Sequence, residues 1–295
     1  MKQFVFNALI LWSTTLVPCL LPIMIVSRLL IASNAIFLLL RPFSFLCRKL
    51  LRLSPGGSYA LLLGYTCGYP MGVKMLADLR SVNAISQEEA CYLAGFINHV
   101  SPAFLITYIC QELLNSRTFM MPCMVMIYGA SLLYGVLKQF VPKSNFTSDS
   151  EYHPKKSNHG YHFRRNGLQQ PVSFLALLDA VIEDSLMQML KIGGYMVLFS
   201  LLSFFVCHIP CLSDVPKASL CALLEISLGC KLLVSLSVPF FWKYLLLIGA
   251  LTFGGLCSAF QSASFLKRIG LPLKQYLKDK AITVVIALGM FLIYV

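Results

Sequence analysis

Apolar residues run in long blocks along this chain, separated by short polar or basic stretches, and several blocks are long enough to cross a bilayer. The pattern predicts membrane elements at about 4–31, 58–79, 85–113, 119–140, 187–208, 217–237, 241–266 and 281–295. The blocks at 58–79 and 217–237 are short and interrupted. Read in order, each half of the chain is a long helix, a short broken segment and two further helices. This correspondence is the internal-repeat signal that transporters carry. It predicts an all-α polytopic membrane protein built from two repeats, 1–140 and 173–295, joined by a polar linker over 141–172.

Composition agrees. Hydrophobic residues make up 58% and charged residues 12% of the 295, and the mean hydropathy is +0.75, far from the soluble range. The first block is preceded only by Lys2, contains two prolines and has no small-residue cleavage site, so it reads as a retained segment. The net charge of +12 comes from basic residues in loops between apolar blocks, which predicts orientation and not nucleic-acid binding. With 58–79 and 217–237 as re-entrant hairpins and both termini outside, sixteen Lys and Arg residues, Lys274, Lys278 and Lys280 among them, fall on the cytoplasmic side. Only Lys2, Arg117, Lys217 and Lys243 fall outside. Three full crossings per half then insert the halves in opposite senses, and the hairpins enter from opposite faces. The stretch 41–53 has apolar residues at three- and four-residue spacing and reads as an interfacial helix on the inner leaflet. Eleven cysteines are scattered through apolar runs without a CxxC pair, so neither disulfides nor a metal are expected.

Chemistry concentrates where the helices are interrupted. Gly64-Tyr65-Thr66-Cys67-Gly68-Tyr69-Pro70-Met71-Gly72-Val73-Lys74 sets a proline, three glycines and a lysine inside an apolar block. Broken backbone at membrane depth needs protein or a wet cavity to satisfy it, so this stretch is a candidate site wall. Gly64, Gly68 and Gly72 also fit the spacing by which two helices approach closely. Lys74 is either the cation for an anionic solute or the i,i+4 partner of Asp78. Amides freed near Gly68, Tyr69 and Gly72, with hydroxyls of Thr66 and Tyr69, are candidate donors to a carboxylate. Asn98, His99 and Ser101 precede Pro102, which frees a carbonyl. Ser258, Gln261 and Ser262 follow Gly254-Gly255 in the corresponding place of the second half. Glu225, within the second hairpin, is a candidate for proton or sodium coupling, with Lys231 as its rival structural partner.

Gly64 to Lys74, Ile85-Ser86-Gln87-Glu88-Glu89-Ala90 and Asn98 to Phe104 together resemble the YlbJ (SpoVV) family of sporulation integral membrane proteins, as do Leu224 to Gly229 and Gly254 to Ser262. That family carries a so-called nucleoside-recognition Gate domain. The resemblance implies a fold similar to concentrative nucleoside transporters and a role in moving dipicolinate across the outer forespore membrane. A nucleoside permease and a non-transporting scaffold for spore-envelope assembly are the alternatives. No HExxH or GxSxG motif and no paired carboxylates at membrane depth point to an enzyme, and no cofactor is expected.

Overall fold

The structure is a computed structural model that describes residues 2–32, 47, 49–115, 119–140 and 174–295. The linker 141–172, Arg117 and most of the stretch 41–53 lie outside the described residues. Those described are helical, with no strand among them. Among the described residues, three helical spans are long and apolar enough to cross a membrane: Met120–Lys138, Phe174–Cys207 and the broken pair Phe240–Arg268. The N-terminal pair makes a fourth when counted as one bent span.

The first half begins with α1 (Lys2–Leu11), a π-helical turn (Trp12–Leu16) and α2 (Val17–Ala32). α3 (Pro55–Cys67) starts on Ser54, whose hydroxyl accepts from the Gly57 amide at 3.1 Å, with Pro55 at the first helical position, where its missing N–H costs nothing. It stops at Gly68, whose φ of +75° is left-handed. The chain then turns back as α4 (Met71–Ser81). A Cβ placed on Gly72 would lie 3.3 Å from Gly64 Cα. Eight residues of straight helix would separate the two by about 12 Å, so α3 and α4 form a helical hairpin. Both glycines also lie against the Ile97 carbonyl, where a Cβ on Gly64 would sit 2.5 Å from the oxygen. α5 (Gln87–Ala94) is N-capped by Ser86. The glutamate of its Ser-x-x-Glu sequence reaches away from its own helix: Glu89 accepts from the Ser54 amide at 2.7 Å and ties α5 to the start of the hairpin.

The second half holds most of the remaining helices. α7 (Phe174–Cys207) is followed by α8 (Asp214–Leu224) and α9 (Ile226–Ser235). These two fold back so tightly that a Cβ on Gly229 would lie 2.0 Å from Ala222 Cα. α10 (Phe240–Phe253), α11 (Gly255–Arg268) and α12 (Leu273–Tyr294) complete the chain. Before the linker, α6 (Met120–Lys138) closes the first half and packs with α10 and α12.

The structure departs from the expected continuous helices in the first block, which bends by 46° between Lys2–Leu16 and Leu20–Leu30, and in two further places. The block 85–113 is split into α5 and a π-helix, Phe104–Leu113, by a non-helical stretch over 95–101, whose last residue, Ser101, is kept from helical geometry by Pro102. The block 241–266 is split into α10 and α11, because Gly254 (φ +85°) and Gly255 (φ +77°) are both left-handed. Each half therefore holds a hairpin and a broken helix.

Candidate functional site

The four interruptions meet. A Cβ on Gly68, at the tip of the first hairpin, would lie 2.5 Å from the Ser101 amide nitrogen in the break of the first broken helix. A Cβ on Gly254, in the break of the second, would lie 2.0 Å from Tyr69 Oη. Gly255 in turn faces the Leu224 carbonyl and Ile226 amide at the tip of the second hairpin. Segments far apart in sequence thus bring their broken backbone to one place, as the cost of unsatisfied polar groups demands.

Side chains satisfy the freed carbonyls. Tyr69 Oη donates to Phe253 O at 3.2 Å, Tyr128 Oη to Val100 O at 3.1 Å and Tyr108 Oη to Ser227 O at 3.2 Å. The Lys280 ammonium donates to Asn98 O and, at 3.1 Å, to Tyr69 Oη. Ser101 Oγ accepts from the Phe104 amide at 3.2 Å, at the start of the helical turn that leads into the π-helix.

Between the tips lies a cavity of about 90 Å³, room for several water molecules or part of a small solute. Its polar lining residues are Thr15, Tyr69, Ser101, Glu225, Ser227, Ser258 and Gln261. Apolar side chains of α2 and α7, among them Leu20, Ile192 and Met196, close the remaining sides. Glu225 sits at the turn of the second hairpin, where its carboxylate accepts from the amides of Ser227 (3.0 Å) and Leu228 (2.8 Å) and caps α9. Lys231 is exposed and does not serve as its partner.

Of the residues singled out from the sequence, Tyr69, Ser101, Ser258, Gln261 and Glu225 line this cavity. Asn98 and Ser262 stand one layer behind it: Asn98 Nδ2 donates to Ser262 Oγ at 2.9 Å and to Tyr276 Oη at 2.8 Å. Gly68 and Gly72 supply close backbone approach and do not line the cavity. Thr66 is exposed, its hydroxyl donating to Leu62 O within its own helix. His99 is buried between the rings of Tyr65 and Tyr128.

Lys74 and Asp78 are elsewhere. Lys74 Nζ is 3.0 Å from Asp78 Oδ2, and Asp78 Oδ1 also meets Arg28 at 3.3 Å and Arg268 at 3.7 Å. Arg28 continues to Asp184 at 2.6 Å. This cluster fastens the first hairpin to α2, α7 and α11, and the i,i+4 pairing of Lys74 is the arrangement found.

Sequence reasoning missed Thr15, Ser227 and Lys280. Lys280 reads as one more basic flanking residue in Lys278-Asp279-Lys280, yet it is only 2% exposed. The signal was available in the spacing: Tyr276, Asp279, Lys280, Thr283, Ala287 and Phe291 form one buried stripe along α12. Among the described residues no group of histidine, cysteine and carboxylate side chains is arranged to hold a metal ion.

The chain is similar to the sporulation integral membrane protein YlbJ of Bacillus subtilis (strain 168), 25% identical over 303 aligned positions that span 92% of this chain and 71% of that protein. The likeness supports the YlbJ family. No family model matches the chain, and no solved structure matches it. The YlbJ relative is an integral membrane protein by name, which together with the apolar spans supports a membrane location for this chain. The aligned span includes most of the chain, so the resemblance to YlbJ does not rest on one hairpin alone.

Proposed function

We propose that the chain is a secondary transporter for a small organic anion, dipicolinate, working by alternating access across the outer forespore membrane. The observation that carries this reading is the meeting of two hairpin tips and two helix breaks around one polar-walled cavity. The recurrence of long helix, hairpin, broken helix and closing helix in both halves supports inverted repeats of the nucleoside-transporter kind, with both termini outside. The choice of an anion is supported by the resemblance to the YlbJ (SpoVV) family and by the Lys280 ammonium bonded to Tyr69. Glu225, on the wall, is the candidate carrier of a coupling proton or sodium ion. The protein acts without cofactor or enzymatic step, and its partners are the lipid bilayer and the solute, not nucleic acid.

One observation favours a nucleoside or related neutral solute instead: the charged group on the wall is a carboxylate, and the rest of its polar lining is hydroxyl and amide. Purified protein in liposomes separates the two. Radiolabelled dipicolinate is expected to enter faster than into protein-free liposomes, with competition by unlabelled dipicolinate and not by nucleosides. An imposed proton or sodium gradient is expected to accelerate uptake in wild type and to have no effect in Glu225→Gln. Competition by nucleosides would support the second reading, and the absence of any solute flux would leave a scaffold for envelope assembly.

A further inference from the structure

Lys280 is a buried cation that no described carboxylate meets in an ion pair, its buried neighbour Asp279 being turned to other partners. It projects from α12 and is 2% exposed, which for an ammonium at membrane depth is costly unless a counter-charge arrives. Its contacts are neutral: the Asn98 carbonyl, Tyr69 Oη at 3.1 Å, and the rings of Tyr69 and Tyr276, whose centroids are 4.9 and 6.0 Å from Nζ. No described carboxylate is in ion-pair contact with it. Its neighbour in sequence, Asp279, is engaged by Lys138 at 2.6 Å, Tyr134 Oη at 2.7 Å and Gln275 at 3.1 Å. Lys74, by contrast, has its charge matched by Asp78.

The surroundings are also incompletely satisfied. Asn98 Oδ1 and His99 Nε2 are buried and lack a hydrogen-bond partner, which is uncommon for interior polar atoms. An ammonium carries three donors, of which the Asn98 carbonyl and Tyr69 Oη take two. Tyr69 links Nζ to the cavity, since it lines the cavity and holds the lysine at the same time. Its hydroxyl also donates to Phe253 O, on the far side of the second helix break.

We infer that Lys280 is the cation that reads a carboxylate group of the solute, which reaches Nζ by displacing the Tyr69 hydroxyl. This rests on the cavity being the solute site, and it assigns the anion recognition to Lys280 and not to Lys74. Exchange of a neutral hydroxyl for a carboxylate gives the buried ammonium its missing counter-charge, and the freed Tyr69 ring remains to pack against a flat solute.

The test is thermal unfolding of the full chain in detergent, with dipicolinate and with its uncharged analogue pyridine-2,6-dimethanol as probes. Wild type is expected to be stabilised by dipicolinate and not by the diol. Lys280→Gln is expected to need at least about 10-fold more dipicolinate for the same shift, and Lys280→Arg to keep part of the response. The double variant Lys74→Met with Asp78→Leu is expected to respond as wild type does. Equal shifts by the two probes in wild type, or no shift by either, would overturn the assignment without any variant having to fold. An undiminished response in Lys280→Gln would overturn it while leaving transport intact. Stabilisation by dipicolinate in a protein that carries none into liposomes would overturn transport and leave Lys280 in place.

Discussion

Asp78→Asn is expected to destabilise the protein by about 3–5 kcal/mol, the usual cost of removing one partner from a buried ion pair. The reason lies in what remains. Lys74 is 1% exposed and Asp78 is its ion-pair partner at 3.0 Å, so the variant leaves a buried ammonium facing a neutral amide. Arg28 keeps Asp184 at 2.6 Å, and Arg268 is half exposed and can be solvated. The damage is therefore concentrated on Lys74. Lys74→Met with Asp78→Leu, which removes both charges and keeps the volume, is expected to recover most of the loss. Denaturant unfolding in detergent measures this cycle. A loss in the double variant equal to the sum of the losses in Lys74→Met alone and Asp78→Leu alone would mean that the pair is not coupled as the structure has it.

Gly229→Ala carries the second large effect. The new Cβ would stand 2.0 Å from Ala222 Cα and 2.3 Å from its amide nitrogen. Backbone cannot yield as the end of a flexible side chain can, so α8 and α9 must part. Overpacking of this kind costs about 1–3 kcal/mol or more, and here it also moves the turn that holds Glu225 on the cavity wall. Gly194, exposed in the interior of α7 with nothing within 4 Å of its Cβ position, is the control. Gly194→Ala is expected to be neutral or to stabilise by up to about 1 kcal/mol. The comparison is read from the yield of monodisperse protein and its unfolding temperature. A Gly229→Ala protein as stable as Gly194→Ala would mean that the second hairpin is not closed in this way.

The helical class and the break at Gly68 and Pro70 were legible because they are local. The blocks around Pro102 and Gly254-Gly255 read as continuous, and a proline or glycine alone does not decide a break, since Pro22 lies inside α2. Which interruption meets which was not legible, since Tyr69 finds Phe253 across 184 residues and Asn98 finds Tyr276 across 178. Lys74 and Lys280 show the limit most clearly. Both are single lysines near an aspartate, and sequence gave weight to Lys74 because it lies in the broken stretch. Packing decides otherwise: Asp78 faces Lys74 from the next turn of one helix, whereas Asp279 turns toward Lys138 and leaves Lys280 to neutral partners. Counting charges by loop could not separate a lysine at a helix start from one in a buried stripe. Glu225 was legible as a lone carboxylate in a hairpin, but its capping of α9 depends on the turn geometry at that residue.

The central claim is that hairpins and broken helices from both halves enclose a wet solute site. Cysteine accessibility tests it most directly, in a protein whose native cysteines are replaced, with a charged, membrane-impermeant thiol reagent applied from either side. Ser227→Cys and Ser258→Cys are expected to react and to be protected by dipicolinate, whereas Val125→Cys, 60% exposed on the outer face of α6, is expected to stay unlabelled in lipid. Unreactive thiols at both cavity positions from both sides, with Asn83→Cys in its exposed loop labelled normally, would contradict the account.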